Sequence, residues 1–255
     1  MSDELFELKS GIRHWLDARP GAIVLEAGCG SISHLDLSGA GRVAGIDISR
    51  AQLDRNTRLD ERILGDLQSF PLPASSYDLI VSWDVLEHLE HPRAALDILF
   101  HALREDGLLV LAFPDRSSFK GFLTRFTGYG LHVLFYRLIV GDRRSAEEGF
   151  GQFPTYLRAA IEPDRLIETA RQAGLEVEYA KRYEGPVQRH LRERHPWARI
   201  LLNALGAISR AATAGRRDLT HSDAVVVLRR PGAGGAAGAA GAAPLERFAP
   251  AARPR

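Results

Sequence analysis

The chain has 255 residues, with 33 Lys and Arg against 32 Asp and Glu, and a formal net charge of +1. This balance excludes the overall positive charge that marks general nucleic-acid or anionic-membrane binding. The single cysteine, Cys29, excludes an intrachain disulfide and a cysteine-based metal cluster, and we expect no metal site.

In chain order, short apolar runs alternate with stretches of helical periodicity. The apolar spacing of residues 4–16 predicts an amphipathic helix that ends at Pro20 and Gly21. An apolar run at residues 22–30 predicts a strand that leads into a glycine-rich turn. Six further runs predict strands at residues 42–47, 62–66, 77–83, 108–113, 175–183 and 222–230. Helices are predicted after Ser49 as the N-cap and at residues 92–103, 163–174 and 188–214. This alternation is typical of βαβ units around a parallel sheet.

The regular pattern stops after Phe113. Residues 113–156 contain ten of the twenty aromatic residues, and residues 116–144 contain six basic residues against one acid. We predict an aromatic and basic helical insertion at about residues 115–160 of a domain that spans residues 1–230. Residues 231–255, rich in Ala, Gly and Pro and without apolar periodicity, are predicted to be disordered.

The first ten residues are acidic and do not match a signal peptide. The most apolar stretch, residues 131–140, is interrupted by His132 and Arg137 and is shorter than the roughly 20 residues of a membrane helix. Because a lone cysteine also suits a reducing compartment, we expect a cytoplasmic protein.

The glycine-rich turn carries the strongest chemical signal. Gly28 and Gly30 permit a sharp turn and a close approach of the backbone to a ligand. Glu26 precedes the turn and can accept a hydrogen bond from a cationic amine, whereas Asp47 has the spacing of an acid that binds ribose hydroxyls. The dinucleotide fingerprint requires a third glycine where this chain has Ser33. A nucleoside that bears an amino acid fits better, because its ammonium group would pair with Glu26.

Four segments in order, VLEAGCG, GIDIS, residues 65–92 and LREDGLLVLAFP, resemble the motifs of class I S-adenosylmethionine-dependent methyltransferases. The similarity is closest to their small-molecule (methyltransferase type 11-like) branch and covers about residues 20–114, and more loosely the last two strands. It implies an α/β fold with a Rossmann-like, doubly wound, mostly parallel sheet of seven strands, in which the insertion follows strand 5. It also implies that the domain binds S-adenosyl-L-methionine.

The resemblance assigns the parts of this cofactor to four places on the sheet. The glycine turn would cradle its amino-acid half, the next acid its ribose, a third acid its adenine, and the end of the fourth strand its methyl group. The implied cofactor-binding residues are Glu26, Gly28, Cys29, Gly30, Asp47, Ile48, Asp66, Leu67, Ser82, Trp83 and Asp84. One departure is Ile32, which stands where the family usually has a third glycine. Since a β-branched residue resists positive φ, either the turn is wider here or cofactor binding is weaker.

Methyl transfer from a sulfonium is an in-line displacement, so the protein mainly positions the acceptor and excludes water. A hydroxyl acceptor can also require a general base near neutral pH, and His88 is the candidate because it closely follows the fourth predicted strand. A purely structural role for His88 stays open. We expect O-, N- or C-methylation of a small-molecule or lipid-like, amphipathic acceptor.

Several alternatives stay open. Residues 116–144 could form a lid over the acceptor pocket or pack on the sheet, and residues 117–140 could contact a membrane surface weakly. The enzyme could instead methylate nucleic acid, although the near-neutral charge leads us to expect no nucleic-acid partner. A degenerate relative that binds the cofactor without catalysis is the non-enzymatic alternative, favoured only by Ile32.

Overall fold

The computed structural model describes residues 5–118, 121 and 155–232. Its strands are β1 (Ile23–Ala27), β2 (Arg42–Asp47), β3 (Glu61–Leu64), β4 (Tyr77–Trp83), β5 (Leu103–Pro114), β6 (Glu176–Tyr183) and β7 (Asp223–Arg229). Its α-helices are α1 (Phe6–Asp17), α2 (Arg50–Arg55), α3 (Pro92–Ala102), α4 (Pro163–Gln172), α5 (Pro186–Arg194) and α6 (Pro196–Ala212). Short 3-10 helices span Leu86–His88 and Ala159–Ile161.

The strands form one sheet in the order β3-β2-β1-β4-β5-β7-β6. The pairs β1–β2, β1–β4, β2–β3 and β4–β5 are parallel, whereas β7 is antiparallel to both β5 and β6. The predicted Rossmann-like, mostly parallel seven-stranded sheet is therefore confirmed. The carboxyl ends of β1 to β5 lie at one edge, where ligands bind in sheets of this kind.

Alternation along the strands divides the core between the two faces of the sheet. One cluster joins Leu25 and Ile80 to α3 and α4, through residues such as Leu96 and Leu166. The other joins Val24 to α1 and α2. Because helices cover both faces, the central strands are apolar along their whole length, as the sequence shows.

Two predicted elements differ from the structure. The strand predicted at residues 108–113 is longer in the structure: β5 begins at Leu103, and its pairing with β4 shifts register near Asp106, which has a φ of 56°. The single helix predicted over residues 188–214 is wrong, because Pro196 separates α5 from α6. Proline has no N–H to continue a helix and disfavours helical backbone in the residue before it. Ser49 caps α2 as predicted, and its side chain accepts the N–H of Gln52.

Most of the predicted insertion, including nearly all of the membrane contact predicted at residues 117–140, lies outside the described residues. So does the predicted tail beyond residue 232. Within the described residues, none of the helices has the length and apolarity needed to cross a bilayer.

Candidate functional site

A cavity of about 380 Å³ opens at the carboxyl ends of β1, β2, β3 and β4. This volume lies in the range of roughly 300–1,000 Å³ that small-molecule and cofactor sites occupy. Nine of the eleven predicted cofactor-binding residues line it: Gly28, Cys29, Gly30, Asp47, Ile48, Asp66, Leu67, Trp83 and Asp84. His88 also lines the cavity, whereas Glu26 and Ser82 do not.

The glycine turn forms one wall of the cavity. Gly28 and Gly30 have φ values of 72° and 52°, which side-chain-bearing residues rarely adopt. The N–H groups of Gly28 and Cys29 both donate to the carbonyl of Ile46, at 2.8 and 3.1 Å. A Cβ atom at position 28 would lie 2.4 Å from a methyl group of Val85. Both backbone conformation and packing therefore require glycine at position 28.

Asp47 connects this turn to the start of α2. One carboxylate oxygen accepts the N–H of Gly30 at 2.9 Å, and the other accepts the N–H of Ser49 at 2.8 Å. Each carboxylate oxygen has a second lone pair. Asp47 can therefore also accept two hydroxyl groups of a ligand in the cavity.

Ile32, at the position of the missing third glycine, does not strain the turn. It is not among the described residues with positive φ, and its side chain is 67% exposed and lines the cavity. The backbone here is one that a β-branched residue adopts readily, so the steric objection raised by the sequence does not apply.

Glu26 and Ser82 lie in the strands beneath the cavity. Glu26 is only 4% exposed, and the hydroxyl of Ser33 donates to its carboxylate at 2.5 Å. Burial raises the pKa of Glu26, and the bond from Ser33 partly opposes this shift. Ser82 is fully buried, and its Oγ has no hydrogen-bond partner among the described residues.

Gln68, which no motif of the sequence marks, holds the loop after β3. Its backbone and side-chain N–H groups donate to the Asp66 carboxylate at 2.9 and 3.1 Å, while its Oε1 accepts the N–H of His91 at 2.7 Å. This bridge fixes Asp66 against the segment that precedes α3. The signal in the sequence that could have identified Gln68 is its position two residues after Asp66, a candidate site acid.

A second unpredicted feature is the stacking of His34 on Trp83, with ring centroids 5.5 Å apart and an interplanar angle of 4°. Both rings line the cavity. Burial lowers the pKa of His34, and the positive charge of Lys9 lowers it further. The local sequence gives no sign of this stacking, because Trp83 is distant from His34 along the chain.

His88 ends the 3-10 helix Leu86–His88, and its Nε2 lies 3.9 Å from Oε1 of the buried Glu87. The N–H of Tyr156 donates to the Glu87 carbonyl at 2.8 Å, which ties the chain before α4 to this helix. The structure thus places an imidazole at the cavity wall, on a segment to which the chain before α4 is hydrogen-bonded.

Cys29 lines the cavity but is poorly suited to nucleophilic chemistry. Burial, together with the charges of Asp47 and Glu26, raises its pKa to about 12. The thiol is therefore protonated at neutral pH. The buried Asn56 donates towards the carbonyls of Cys29 and Gly30 at 3.5 Å, which supports the turn from below.

Known methyltransferases resemble this chain in sequence and in fold. A profile of the methyltransferase domain family matches residues 5–180. A probable S-adenosylmethionine-dependent methyltransferase of Mycolicibacterium smegmatis is 37% identical over 106 residues, which are 39% of this chain and 41% of that protein. An uncharacterized 37.1 kDa protein in transposon TN4556 of Streptomyces fradiae is 35% identical over 128 residues, which are 46% of this chain and 37% of that protein.

The alignments thus span well under half the length of these curated relatives. The solved structure of an S-adenosylmethionine-dependent methyltransferase from Mesorhizobium loti has a TM-score of 0.52 and 17% identity to this chain. Its alignment covers 87% of this chain and 96% of that one, so the two share the fold.

Proposed function

The chain belongs to the methyltransferase domain family, and we propose that it transfers a methyl group from S-adenosyl-L-methionine to a small-molecule or lipid-like acceptor at oxygen, nitrogen or carbon. The observation that carries the proposal is the convergence of the glycine turn, Asp47 and Asp66 on one cavity. These groups come from three separate strand ends, and each has the chemistry that one part of this nucleoside requires.

The donor set fits the cofactor. Asp47 would accept the ribose hydroxyls with its remaining lone pairs, and Asp66 would accept the adenine amino group. Ile48 and Leu67 supply apolar surface for the adenine ring. Glu26 lies below the turn, where its carboxylate would face the amino-acid half through the Ser33 hydroxyl or directly.

When bound, S-adenosyl-L-methionine supplies an electrophilic methyl group on its sulfonium. The residues of this chain then position the acceptor and exclude water. The stacked rings of His34 and Trp83 form a flat wall for an apolar acceptor. His88, at the same cavity, is the candidate to hold or remove a proton from an acceptor hydroxyl.

The lining of the cavity favours a small or amphipathic acceptor over a nucleic acid. Among the described residues that line it, none is Lys or Arg, although these residues make many of the phosphate contacts of nucleic-acid-binding proteins. Ile32 and Ile48 instead place exposed apolar side chains there, 67% and 64% exposed. The adenine ring would cover Ile48, and an acceptor with apolar surface would cover Ile32.

The test is a transfer assay with methyl-labelled S-adenosyl-L-methionine and fractionated cell extract. We expect label in the organic-extractable fraction, and much less with the variant Asp47→Ala. Label confined to the nucleic-acid fraction would contradict the acceptor class. Equal labelling by the wild type and Asp47→Ala would contradict the assignment of the site.

A further inference from the structure

Helix α6 has an unusual distribution of side chains, with mostly small residues inside and four large apolar residues outside. Its buried positions are Ala198, Leu202, Gly206 and Ser209. Its exposed large apolar residues are Trp197, Ile200, Leu201 and Ile208, with exposed fractions of 57%, 69%, 53% and 67%. An ordinary surface helix turns its large apolar residues towards the core. In α6 they form a stripe that faces away from it.

The helix is firmly held in this orientation. The N–H of Leu219 donates to Oγ of the buried Ser209 at 3.2 Å, and Arg210 forms an ion pair with Asp218. A Cβ atom at Gly206 would lie 3.1 Å from Oδ1 of Asp218, so the helix packs closely on the loop before β7. Turning the apolar stripe inward would break these contacts.

The surroundings of the stripe are strongly basic. Residues 186–217 contain seven arginines against one acid, Glu193. Some of these arginines form ion pairs within the fold, such as Arg192 with Glu184. Arg194, at the end of α5, and Arg199, in the first turn of α6, are exposed. An exposed apolar stripe on a helix that also carries exposed arginines is typical of helices that lie in the interface of an anionic membrane.

The position of α6 in the fold relates it to the cavity. Pro114 at the end of β5 and Tyr183 at the end of β6 both pair with Asp223 at the start of β7. The α5–α6 segment connects β6 to β7 and therefore lies at the edge of the sheet on which the cavity opens. A surface bound by α6 would be on the same edge as the candidate site.

We propose that the outer face of α6 binds the surface of an anionic lipid bilayer. Its apolar stripe would enter the boundary between headgroups and acyl chains, and its arginines would contact the phosphates. The 17-residue helix is about 25 Å long, which suits a helix lying in the membrane plane. This proposal does not depend on methyl transfer.

Two other occupants fit less well. A second copy of the chain would cover the stripe but would offer the exposed arginines few acidic partners, because its own residues 186–217 hold seven arginines against one acid. A nucleic acid would neutralise the arginines but would leave the apolar stripe without apolar surface to cover it. An anionic bilayer satisfies both features together.

The experiment is sedimentation with vesicles of phosphatidylcholine alone or mixed with phosphatidylglycerol. We expect binding to the mixed vesicles, weakened by added salt, and little binding to phosphatidylcholine alone. Ile200→Ser and Ile208→Ser should each lower the partition coefficient about tenfold. Arg199→Ser should lower it about fivefold. The matched control is Phe6→Ser on α1, a 58% exposed apolar residue whose loss should change nothing.

Circular dichroism of each variant first establishes that it is folded. The preference for anionic lipid is measured on the wild type and does not depend on any variant. Absence of binding to anionic vesicles would overturn the proposal, as would binding that Ile200→Ser, Ile208→Ser and Arg199→Ser leave unchanged. A concentration-dependent dimer in sedimentation velocity that Ile200→Ser abolishes would assign the stripe to self-association instead. Binding of a DNA duplex with the same variant pattern would assign it to nucleic acid.

Discussion

The carboxylate of Asp47, at the end of β2, accepts the backbone N–H of Gly30, in the turn after β1, at 2.9 Å. The acid that would bind the ribose therefore also fixes the turn that would cradle the amino-acid half. The second oxygen of Asp47 accepts the N–H of Ser49 at 2.8 Å, where α2 begins. Changes at Asp47 thus affect the shape of the cavity as well as its charge.

Gly28→Ala should lower the free energy of unfolding by about 1–3 kcal/mol. The new Cβ atom would require an unfavourable backbone at φ 72° and would lie 2.4 Å from Val85 Cγ2. In a Val85→Ala background the cost of Gly28→Ala should be smaller but not zero, since only the clash is removed. Urea denaturation of the wild type, the two single variants and the double variant measures these costs. An equal cost of Gly28→Ala in both backgrounds would show that the Val85 side chain does not exclude a Cβ atom at position 28.

Glu26→Gln should stabilise the ligand-free protein at neutral pH while weakening cofactor binding. Burial raises the pKa of Glu26 above its ordinary value of 4.5, so the charged form is disfavoured in the fold. The free energy of unfolding therefore falls as pH rises from 4.5 through the folded pKa, and the full penalty is present above it. The loss of a hydrogen bond from the cofactor's ammonium to a charged acceptor should reduce affinity by roughly tenfold or more. Thermal melts without ligand should show a higher Tm for Glu26→Gln, whereas titration with S-adenosyl-L-methionine should show weaker binding. Unchanged affinity would place the ammonium elsewhere.

His34 should make stability depend on pH. Burial lowers its pKa in the fold below the ordinary value of 6.5, so the unfolded chain binds the proton more readily. As pH falls through 6.5, the free energy of unfolding should therefore decrease. His34→Phe keeps a ring to stack on Trp83 but cannot be protonated. The stability difference between the wild type and His34→Phe should change across this pH range, and a constant difference would refute the effect.

His88→Ala should lower kcat strongly, with little change in cofactor affinity, if His88 removes a proton from the acceptor. General-base catalysis typically contributes about 10²–10⁴-fold. His88→Gln, which preserves hydrogen bonding but not basicity near pH 7, is the informative second variant. Turnover equal to that of the wild type in both variants would leave His88 with a structural role only.

Local patterns predicted most of the sheet and the acids at its edge. The segments before Gly28 and Asp47 are short, apolar and directly followed by polar residues, so strand and site could be located together. Pro196 is a local signal for the break between α5 and α6, but the apolar periodicity on both sides of it favoured one continuous helix. In the structure, the effect of proline on the backbone determines where the helix ends, and the periodicity does not.

Long-range contacts could not be predicted in the same way. His34 and Trp83 stack across 49 positions of sequence, as the difference between their numbers shows. Gln68 is important because it also reaches His91. Ile32 looked unfavourable only under the assumption that its backbone copies that of a glycine. Each of these facts depends on how separate strand ends meet in space.

Isothermal titration tests the central claim most directly. The wild type should bind S-adenosyl-L-methionine and S-adenosylhomocysteine but not NAD, because the cavity combines the glycine turn with two acids at separate strand ends. Asp47→Ala should weaken both sulfur nucleosides by about tenfold or more, since it removes a charged hydrogen-bond acceptor. Binding of NAD, or no binding of either sulfur nucleoside by the folded wild type, would contradict the account.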